Sequence, residues 1–169
     1  MKTLIFVIGA SGAGKTAALE AFERERPEGV VFCYFDRIGV PSPEEMTRDF
    51  GSGEEWQRHV TIAWTRQIKR EHLDNNIVFL DGQTRPLFIE EACRGEDVQD
   101  YKIILFDCRD DIREARLRQR GQPEPANAKM RNWANYLRDE VRRRAAAIVD
   151  TTHLTIPEAV ERLREHVIK

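Results

Sequence analysis

Short apolar runs alternate with amphipathic stretches along most of this chain. Unbroken apolar runs are typical of strands buried on both faces of a parallel sheet. They predict strands over 4–8, 30–35, 77–80, 101–106 and 147–149. Apolar residues recurring every three to four positions predict helices over 15–25, 43–49, 54–74, 86–94, 110–120, 130–144 and 156–167. The alternation predicts a three-layer α/β fold, with helices on both faces of a parallel sheet.

Four of the predicted strands are followed by an aspartate. These residues are Asp36, Asp81, Asp107 and Asp150. Ligands of open parallel sheets bind at the carboxyl ends of the strands, so we expect the functional site at this edge. The segment 121–125, rich in glycine and proline, is the clearest loop of the chain.

The composition and charge of the chain mainly exclude classes of protein. The chain has 169 residues, of which 41% are hydrophobic and 33% charged, and its net charge is −2. This balance predicts one globular domain over 1–169 and argues against nucleic acid as a partner of the whole chain. We expect no membrane span and no secretion signal, because no apolar run approaches ~20 residues. Three widely spaced cysteines predict neither a disulfide framework nor a zinc site, so we expect a cytoplasmic protein.

The segment after the first predicted strand has the chemistry of a phosphate cradle. It reads G-A-S-G-A-G-K-T over 9–16 and matches G-x-x-x-x-G-K-[ST] between a strand and a helix. Glycines let successive backbone N–H groups turn toward an anion, and the start of the helix adds positive potential. We predict nucleotide binding by Gly9, Ser11, Gly12, Ala13, Gly14, Lys15 and Thr16. The alternative is a glycine-rich turn with an exposed lysine.

The same pattern predicts ATP and Mg²⁺ as cofactors. Lys15 is expected to reach the β- and γ-phosphates and to act in catalysis, and the Thr16 hydroxyl to coordinate Mg²⁺. Asp81, at the end of the third predicted strand, is expected to hold a water on the metal. A helix cap or a turn residue is the structural alternative for Asp81.

Arginines recur at helical spacing just before the predicted loop. Arg113, Arg116 and Arg120 are three and four residues apart and share roughly one face of the predicted helix. A mobile flap could bring such cations to a transferring phosphoryl group and exclude water. Arg131 and Arg138 in the next helix are further candidates. The alternative is a solvated face on which these arginines pair with neighbouring acidic residues.

At this point the chain resembles the small P-loop kinases of the nucleoside-monophosphate kinase, shikimate kinase and gluconate kinase group. Residues 79–85 are similar to the adenylate kinase segment L-D-G-F-P-R, with Gln83 and Thr84 in place of Phe-Pro. Residues 106–120 resemble the family's strand and the helix leading into its lid, and 150–156 resemble the end of its fifth strand. The resemblance implies a five-stranded sheet of order 2-3-1-4-5.

The resemblance also implies roles for individual arginines and segments. By position, Arg116 would lie near adenine and Arg85 would bind the acceptor. Arg120 would lie near the phosphates and act in catalysis. A helical segment over 39–75 would cover the substrate, and 116–138 would form a short lid. The replacement of Phe-Pro in the 79–85 segment argues against an AMP-type acceptor.

The acceptor site is also inferred from the resemblance. Residues 35–37 resemble the position in shikimate and gluconate kinases where a carboxylate meets the acceptor hydroxyl. Asp36 would accept the hydroxyl proton or orient the hydroxyl, and Arg37 would bind the acceptor. Ile38 stands where shikimate kinases have a second aspartate, so shikimate is disfavoured. A capping role is the alternative for Asp36.

Aromatic residues in the long helix over 54–74 allow two interpretations. Trp56, His59 and Trp64 could stack on an acceptor's base or sugar, or they could belong to the core. Their spacing favours the core. The three residues therefore remain secondary candidates for the acceptor site.

The leading functional hypothesis is an ATP-dependent phosphotransferase for a small polar metabolite such as a nucleoside, nucleotide or sugar acid. One alternative is a nucleotide-binding regulatory switch without an acceptor, although the chain has no N-K-x-D base-reading motif of GTPases. Another is a kinase acting on RNA ends or on an antibiotic, since 102–144 contains 12 Lys and Arg against 7 Asp and Glu. The sequence leaves the oligomeric state open.

Overall fold

A five-stranded parallel sheet organises the protein, whose computed structural model describes residues 2–74 and 76–167. The strands are β1 Thr3–Ile8, β2 Val30–Tyr34, β3 Ile77–Gly82, β4 Tyr101–Asp107 and β5 Ala147–Asp150. Their order is β2-β3-β1-β4-β5, which confirms the predicted order. Outside the described residues lie Met1, Asn75, Ile168 and Lys169, which belong to the predicted domain, and Asn75 also to the predicted substrate-covering segment.

Seven α-helices occur in the described residues, each within three residues of its predicted bounds. They are α1 Lys15–Arg24, α2 Pro43–Phe50, α3 Gly53–Glu71, α4 Pro86–Gly95, α5 Asp110–Gln119, α6 Ala128–Arg143 and α7 Ile156–Arg164. Local capping explains individual starts: the Glu55 amide donates to Ser52 Oγ at 3.1 Å, so α3 begins at Gly53. Helices cover both faces of the sheet, and the predicted three-layer α/β fold is confirmed.

Each strand differs from its predicted bounds by one or two residues, and two of these differences involve candidate site residues. The second strand was predicted over 30–35, but β2 ends at Tyr34 and Phe35–Ile38 form one turn of 3-10 helix. Gly39, with a φ of 96°, closes this turn by donating its amide to the Asp36 carbonyl at 3.1 Å. Asp36 therefore lies within a turn. The third strand continues past its predicted end, so Asp81 lies inside β3.

The described chain divides into two compact units. Unit 1 comprises residues 2–6 and 29–102, and unit 2 comprises 7–28 and 103–167. No helix in these ranges is both long and apolar enough to cross a membrane.

In unit 1, two tryptophans of α3 hold the turn that carries Asp36. The Phe35 ring meets the Trp56 ring edge-on at a centroid distance of 5.9 Å. Trp64 Nε1 donates to the Phe35 carbonyl at 3.2 Å. Both tryptophans are buried, which supports the core interpretation, and they fix the backbone immediately before Asp36. The remaining aromatic candidate, His59, is exposed, and its ring centroid lies 5.3 Å from that of Phe50.

In unit 2, α1 packs against α7 and is thereby held at the end of the glycine-rich segment. The Arg164 guanidinium lies 5.0 Å from the centre of the Phe22 ring and pairs with Glu25 at 2.6 Å. Phe22 itself is almost completely buried. This packing fixes the helix that follows the glycine-rich loop.

The three cysteines, Cys33, Cys93 and Cys108, are buried free thiols. Burial raises the pKa of Cys93 to about 12. A thiol with so high a pKa is protonated and unreactive at neutral pH, as expected for core cysteines.

Candidate functional site

The glycine-rich loop over 9–16 connects β1 to α1 within unit 2. Gly9 passes so close to β4 that an added Cβ would lie 2.3 Å from the Phe106 carbonyl oxygen. Gly12 and Gly14 have φ values of 85° and 94°, which L side chains rarely adopt. The Ala13 amide donates to the Ala10 carbonyl at 3.2 Å and closes a turn inside the loop. These features curve the backbone of the loop, and its binding of phosphate stays a prediction.

The first turn of α1 presents an open positive end. Gly14 is the N-cap residue and has no side chain to accept from the first amides, and the first turn contains no acidic residue. Among the described helices, only α1 and α4 begin with neither a side-chain cap nor an acid in the first turn. Such an end attracts an anion through the positive potential of the helix dipole. The loop residues therefore fit a phosphate group.

Lys15 and Thr16 occupy this first turn but differ in exposure. Lys15 is buried, and its Cδ lies 3.3 Å from where a Cβ on Gly9 would be, so the side chain runs back across the loop. Thr16 is exposed. A lysine side chain against the loop and an exposed hydroxyl in the same helical turn suit a polyphosphate and its metal ion.

Next to the loop, unit 2 contains a cavity of about 380 Å³. Its wall is largely apolar, with Ala18, Leu154 and Ile156 among its residues. Arg116 and Arg120 contribute cationic groups to the same cavity. Apolar walls with a few converging polar groups are typical of ligand pockets.

Arg116 is tied both to the loop and to the residue after β5. Its guanidinium donates to Thr151 Oγ1 at 3.1 Å and to the Thr151 carbonyl at 2.7 Å. It also donates to the Gly12 carbonyl at 3.4 Å. Thr151 Oγ1 in turn donates to the Ala13 carbonyl at 2.7 Å. Thr151 therefore connects three parts of the pocket, and only its position in the 150–156 segment indicated this role.

The remaining arginines of this region are divided among several roles. Arg120 is exposed and forms no ion pair among the described residues. Arg131 pairs with Glu114 at 2.6 Å, which matches the solvated-face alternative. Arg138 donates two hydrogen bonds to Asp107, at 2.6 and 3.0 Å, and this contact raises the pKa of the guanidinium.

Arg113, Arg116 and Arg120 were expected to share one face of the helix, but Arg113 differs from Arg120 in its exposure to solvent. Arg113 is almost completely buried, whereas Arg120 is exposed. The difference arises because Arg113 packs against Gly12, whose missing side chain leaves room for it.

The other strand-end aspartates, Asp107 and Asp150, have structural partners. Asp107 holds Arg138. Asp150 Oδ1 accepts from the Thr152 hydroxyl at 2.6 Å and from the Thr152 amide at 2.9 Å, and these bonds lower the pKa of the Asp150 carboxyl. Both carboxylates therefore order the end of the sheet in unit 2.

In unit 1, the candidate acceptor residues lie on the 3-10 turn, on β3 and at the start of α4. Asp36 and Arg37 are exposed, and the Arg37 guanidinium lies 3.9 Å from the centre of the Tyr34 ring. Asp81 is buried. The turn packs on the end of β3, since a Cβ on Gly82 would lie 3.0 Å from Phe35 Cβ.

Arg85 lies at the N-cap of α4 and is held by α3. It donates to Gln57 Oε1 at 2.6 Å and pairs with Glu54 at 3.3 Å. Gln57 also donates through Nε2 to the Gln83 carbonyl at 2.8 Å. Sequence reasoning missed Glu54 and Gln57. The signal was their spacing with Thr61, which places polar groups on one face of α3.

The metal prediction involves one residue from each unit, Thr16 and Asp81. Among the described residues there is no group of three or more His, Cys, Asp or Glu that could hold a metal ion. Mg²⁺ commonly binds one or two protein groups together with phosphate oxygens and waters. A hydroxyl and a carboxylate are both oxygen donors of the type that Mg²⁺ accepts, and the joint role of Thr16 and Asp81 stays a prediction.

The sheet order and the position of the glycine-rich loop define the fold of the small P-loop kinases. The chain resembles a gluconokinase from Sinorhizobium meliloti 1021 with a TM-score of 0.69 at 18% identity, covering 98% of this chain and 95% of that one. It resembles a shikimate kinase from Acinetobacter baumannii, solved with shikimate, with a TM-score of 0.67 at 16% identity over 99% and 93%.

A tunicamycin resistance protein from Deinococcus radiodurans is similar to the same degree, with a TM-score of 0.68 at 18% identity over 99% and 96% of the two chains. No family model and no curated protein matches the sequence. The predicted resemblance to the nucleoside-monophosphate, shikimate and gluconate kinase group is thus confirmed as a likeness of fold.

Proposed function

We propose that this protein is an ATP- and Mg²⁺-dependent kinase that transfers the γ-phosphoryl group to a small polar metabolite such as a nucleoside, nucleotide or sugar acid. One observation carries the proposal: the glycine-rich loop leads into an uncapped helix start beside a cavity of about 380 Å³. That combination offers amides and a lysine to a polyphosphate and an apolar pocket to a base.

On the nucleotide side, the loop amides and Lys15 would bind the β- and γ-phosphates. The base would occupy the cavity against Leu154 and Ile156, with Arg116 fixed by Thr151 at its edge. Thr16 and, through water, Asp81 would hold Mg²⁺, which when bound neutralises phosphate charge. Arg120, which has no competing ion pair in the part of the chain that the structure describes, would stabilise the transferring group.

On the acceptor side, Asp36 would take the proton of the acceptor hydroxyl as its oxygen attacks the γ-phosphorus. The new O–P bond forms as the bond to the β–γ bridging oxygen breaks, and ADP leaves with that oxygen. Arg37 and Arg85 would bind the acceptor. Arg85 precedes α4, the other helix with an open positive end, so we propose that the acceptor carries a carboxylate or phosphate.

The domain organisation stays part of this proposal. Residues 1–169 would act as one kinase domain, in which 39–75 covers the acceptor and 116–138 forms the lid. Segment 39–75 contains Glu54 and Gln57, which hold Arg85. Segment 116–138 contains Arg116 and Arg120, which line the cavity.

The ion pairs weaken the case for a polyanionic substrate such as an RNA end. Much of the positive charge of 102–144 is neutralised locally. The pairs are Arg109–Asp111, Arg113–Asp110, Arg131–Glu114, Arg138–Asp107 and Arg143 and Arg144 with Glu140. These pairs leave the net charge of the segment unchanged but occupy six of its twelve cationic side chains, so fewer are available to contact a phosphate backbone.

The test is ADP release by the purified chain with MgATP and a panel of nucleosides, nucleotides, sugar acids and their neutral counterparts. Release stimulated by one acceptor class, with the phosphorylated product seen by mass spectrometry, supports the kinase. Tight ATP binding without stimulation by any acceptor would instead support the regulatory switch. Absence of ATP binding would contradict both.

A further inference from the structure

Arg113 carries a buried charge with little compensation. Its side chain is 1% exposed, which makes it the largest fully buried side chain of the described residues. Nη2 donates to Asp110 Oδ1 at 2.6 Å, but the Asp110 side chain is 42% exposed. Nε and Nη1 are buried and have no hydrogen-bond partner in the described part of the chain. Burying a guanidinium in this way costs stability that an apolar side chain of similar size would not.

The Arg113 side chain lies directly against the glycine-rich loop. A Cβ on Gly12 would come within 2.8 Å of Arg113 Cγ and 2.9 Å of the Arg113 carbonyl oxygen. Arg116, one turn further along α5, donates to the Gly12 carbonyl. Two cationic side chains of one helix therefore contact the same loop residue, one from the buried side.

The charge of Arg113 acts on groups at the edge of the loop. Cys108 Sγ lies 4.0 Å from the Gly12 carbonyl oxygen. Burial raises the pKa of Cys108, whereas the charges of Arg116 and Arg113 lower it. A charge shielded from water acts over longer distances than an exposed one.

We propose that Arg113 is a positioning residue of the phosphate loop, and that its buried charge is balanced by the polyphosphate of the bound nucleotide. This inference rests on the proposed function. Arg113 acts through the loop backbone rather than by touching the substrate. Its contribution to affinity should therefore grow with nucleotide charge, from adenosine through ADP to ATP.

Two substitutions with opposite expected effects test the proposal. Arg113→Met removes the charge and keeps an apolar stem, and should weaken MgATP binding about tenfold, MgADP binding less, and adenosine binding by under about twofold. Asp110→Asn keeps an acceptor for Arg113 but removes the compensating charge, and should tighten MgATP binding about threefold. Dissociation constants come from isothermal titration calorimetry, and melting temperatures are measured without ligand.

The ligand-free melting temperature separates this role from simple packing. For Arg113→Met we expect it unchanged or higher, since a buried charge is replaced by an apolar group. Arg113→Lys should recover part of the ATP affinity. Arg118→Met serves as the control, because Arg118 lies on the same helix with its side chain 66% exposed.

Four results would overturn the inference. Equal loss of affinity for all three ligands in Arg113→Met, with a lower melting temperature, would assign Arg113 to packing alone. If the wild type binds ATP and both variants bind it equally well, the proposed role of Arg113 is wrong, whereas the proposed function still stands. A wild type that binds none of the ligands would remove the proposed function and this inference together. If Arg113→Met does not fold, weaker ATP binding by Asp110→Asn would overturn it.

Discussion

The proposed nucleotide side in unit 2 and the proposed acceptor side in unit 1 differ in whether backbone or side chains form them. In unit 2 the candidate site consists largely of backbone, with a glycine-rich loop, an open helix start and carbonyls held by Arg116 and Thr151. In unit 1 it consists of side chains, with Asp36 and Arg37 on an exposed turn and Arg85 held by α3. Backbone geometry tolerates sequence change, whereas a side-chain site changes with each substitution. One nucleotide can thus serve kinases of this fold that have different acceptors.

The largest effect should come from removing Lys15, the lysine of the glycine-rich loop. Lys15→Ala should lower kcat by about 10²–10³-fold or more, because a preorganised charge on the transferring group is lost. The fold should survive, as judged by circular dichroism. The readout is acceptor-dependent ADP release. Lys69→Ala, an exposed lysine of α3, is the matched control, and unchanged turnover in Lys15→Ala would refute the phosphate-loop assignment.

The second-largest effect should distinguish the proposed acceptor side from the proposed nucleotide side. Asp36→Asn should reduce transfer to a hydroxyl acceptor about 10²-fold, since a general base typically contributes at least that much. The dissociation constant for ATP should stay unchanged, because Asp36 is proposed to contact only the acceptor. Steady-state kinetics and calorimetry measure the two quantities.

Asp49→Asn is the control for Asp36→Asn, since Asp49 is an exposed aspartate that pairs with Arg48 on α2. A variant of Asp36 that changes only the melting temperature would show a structural role for this carboxylate.

A smaller effect should follow from loosening the nucleotide pocket. Thr151→Val keeps the shape but leaves the Ala13 carbonyl and the Arg116 guanidinium each without one partner. The free energy of unfolding should fall by about 1–3 kcal/mol, and KM for ATP should rise while KM for the acceptor stays unchanged. Thr47→Val removes an exposed hydroxyl bond on α2 and should change neither constant. A rise in both KM values would contradict the separation of the two sides.

The contrast between the two sides also explains what could be predicted from the sequence. The loop over 9–16 is a local pattern, so a strand, eight residues and a helix suffice to predict it. The sheet order came from resemblance, since periodicity carries no information on strand neighbours. The contact of Gln57 with Arg85 joins residues 28 positions apart, and no local rule indicates it.

Arg113 shows a second limit of sequence reasoning. A helical wheel places it near Arg116 and Arg120, but burial depends on what packs against that face. Here the partner is Gly12, which lies about a hundred residues earlier and has no side chain. Predictions failed where packing between distant segments decides the outcome.

The smallest predicted effect concerns the contact between Glu54 and Arg85. The Glu54 side chain is 55% exposed and pairs with Arg85 at 3.3 Å. It would therefore compete with an anionic acceptor for the Arg85 guanidinium. Glu54→Gln removes this competing charge and should lower KM for an anionic acceptor by about two- to fivefold, the range of an exposed ion pair. High salt should abolish the difference, and KM for ATP should not change.

Glu55→Gln is the matched control for Glu54→Gln, because Glu55 lies in the same first turn of α3 and pairs with Arg58 instead. It carries the same loss of charge near the helix start, so any effect of the helix dipole appears in both variants. An equal change in both variants would mean that Glu54 acts through general electrostatics. An unchanged KM in Glu54→Gln, together with a preference for neutral acceptors in the panel, would show that Arg85 does not select an anion. A decrease specific to Glu54→Gln would assign acceptor selection to the start of α3.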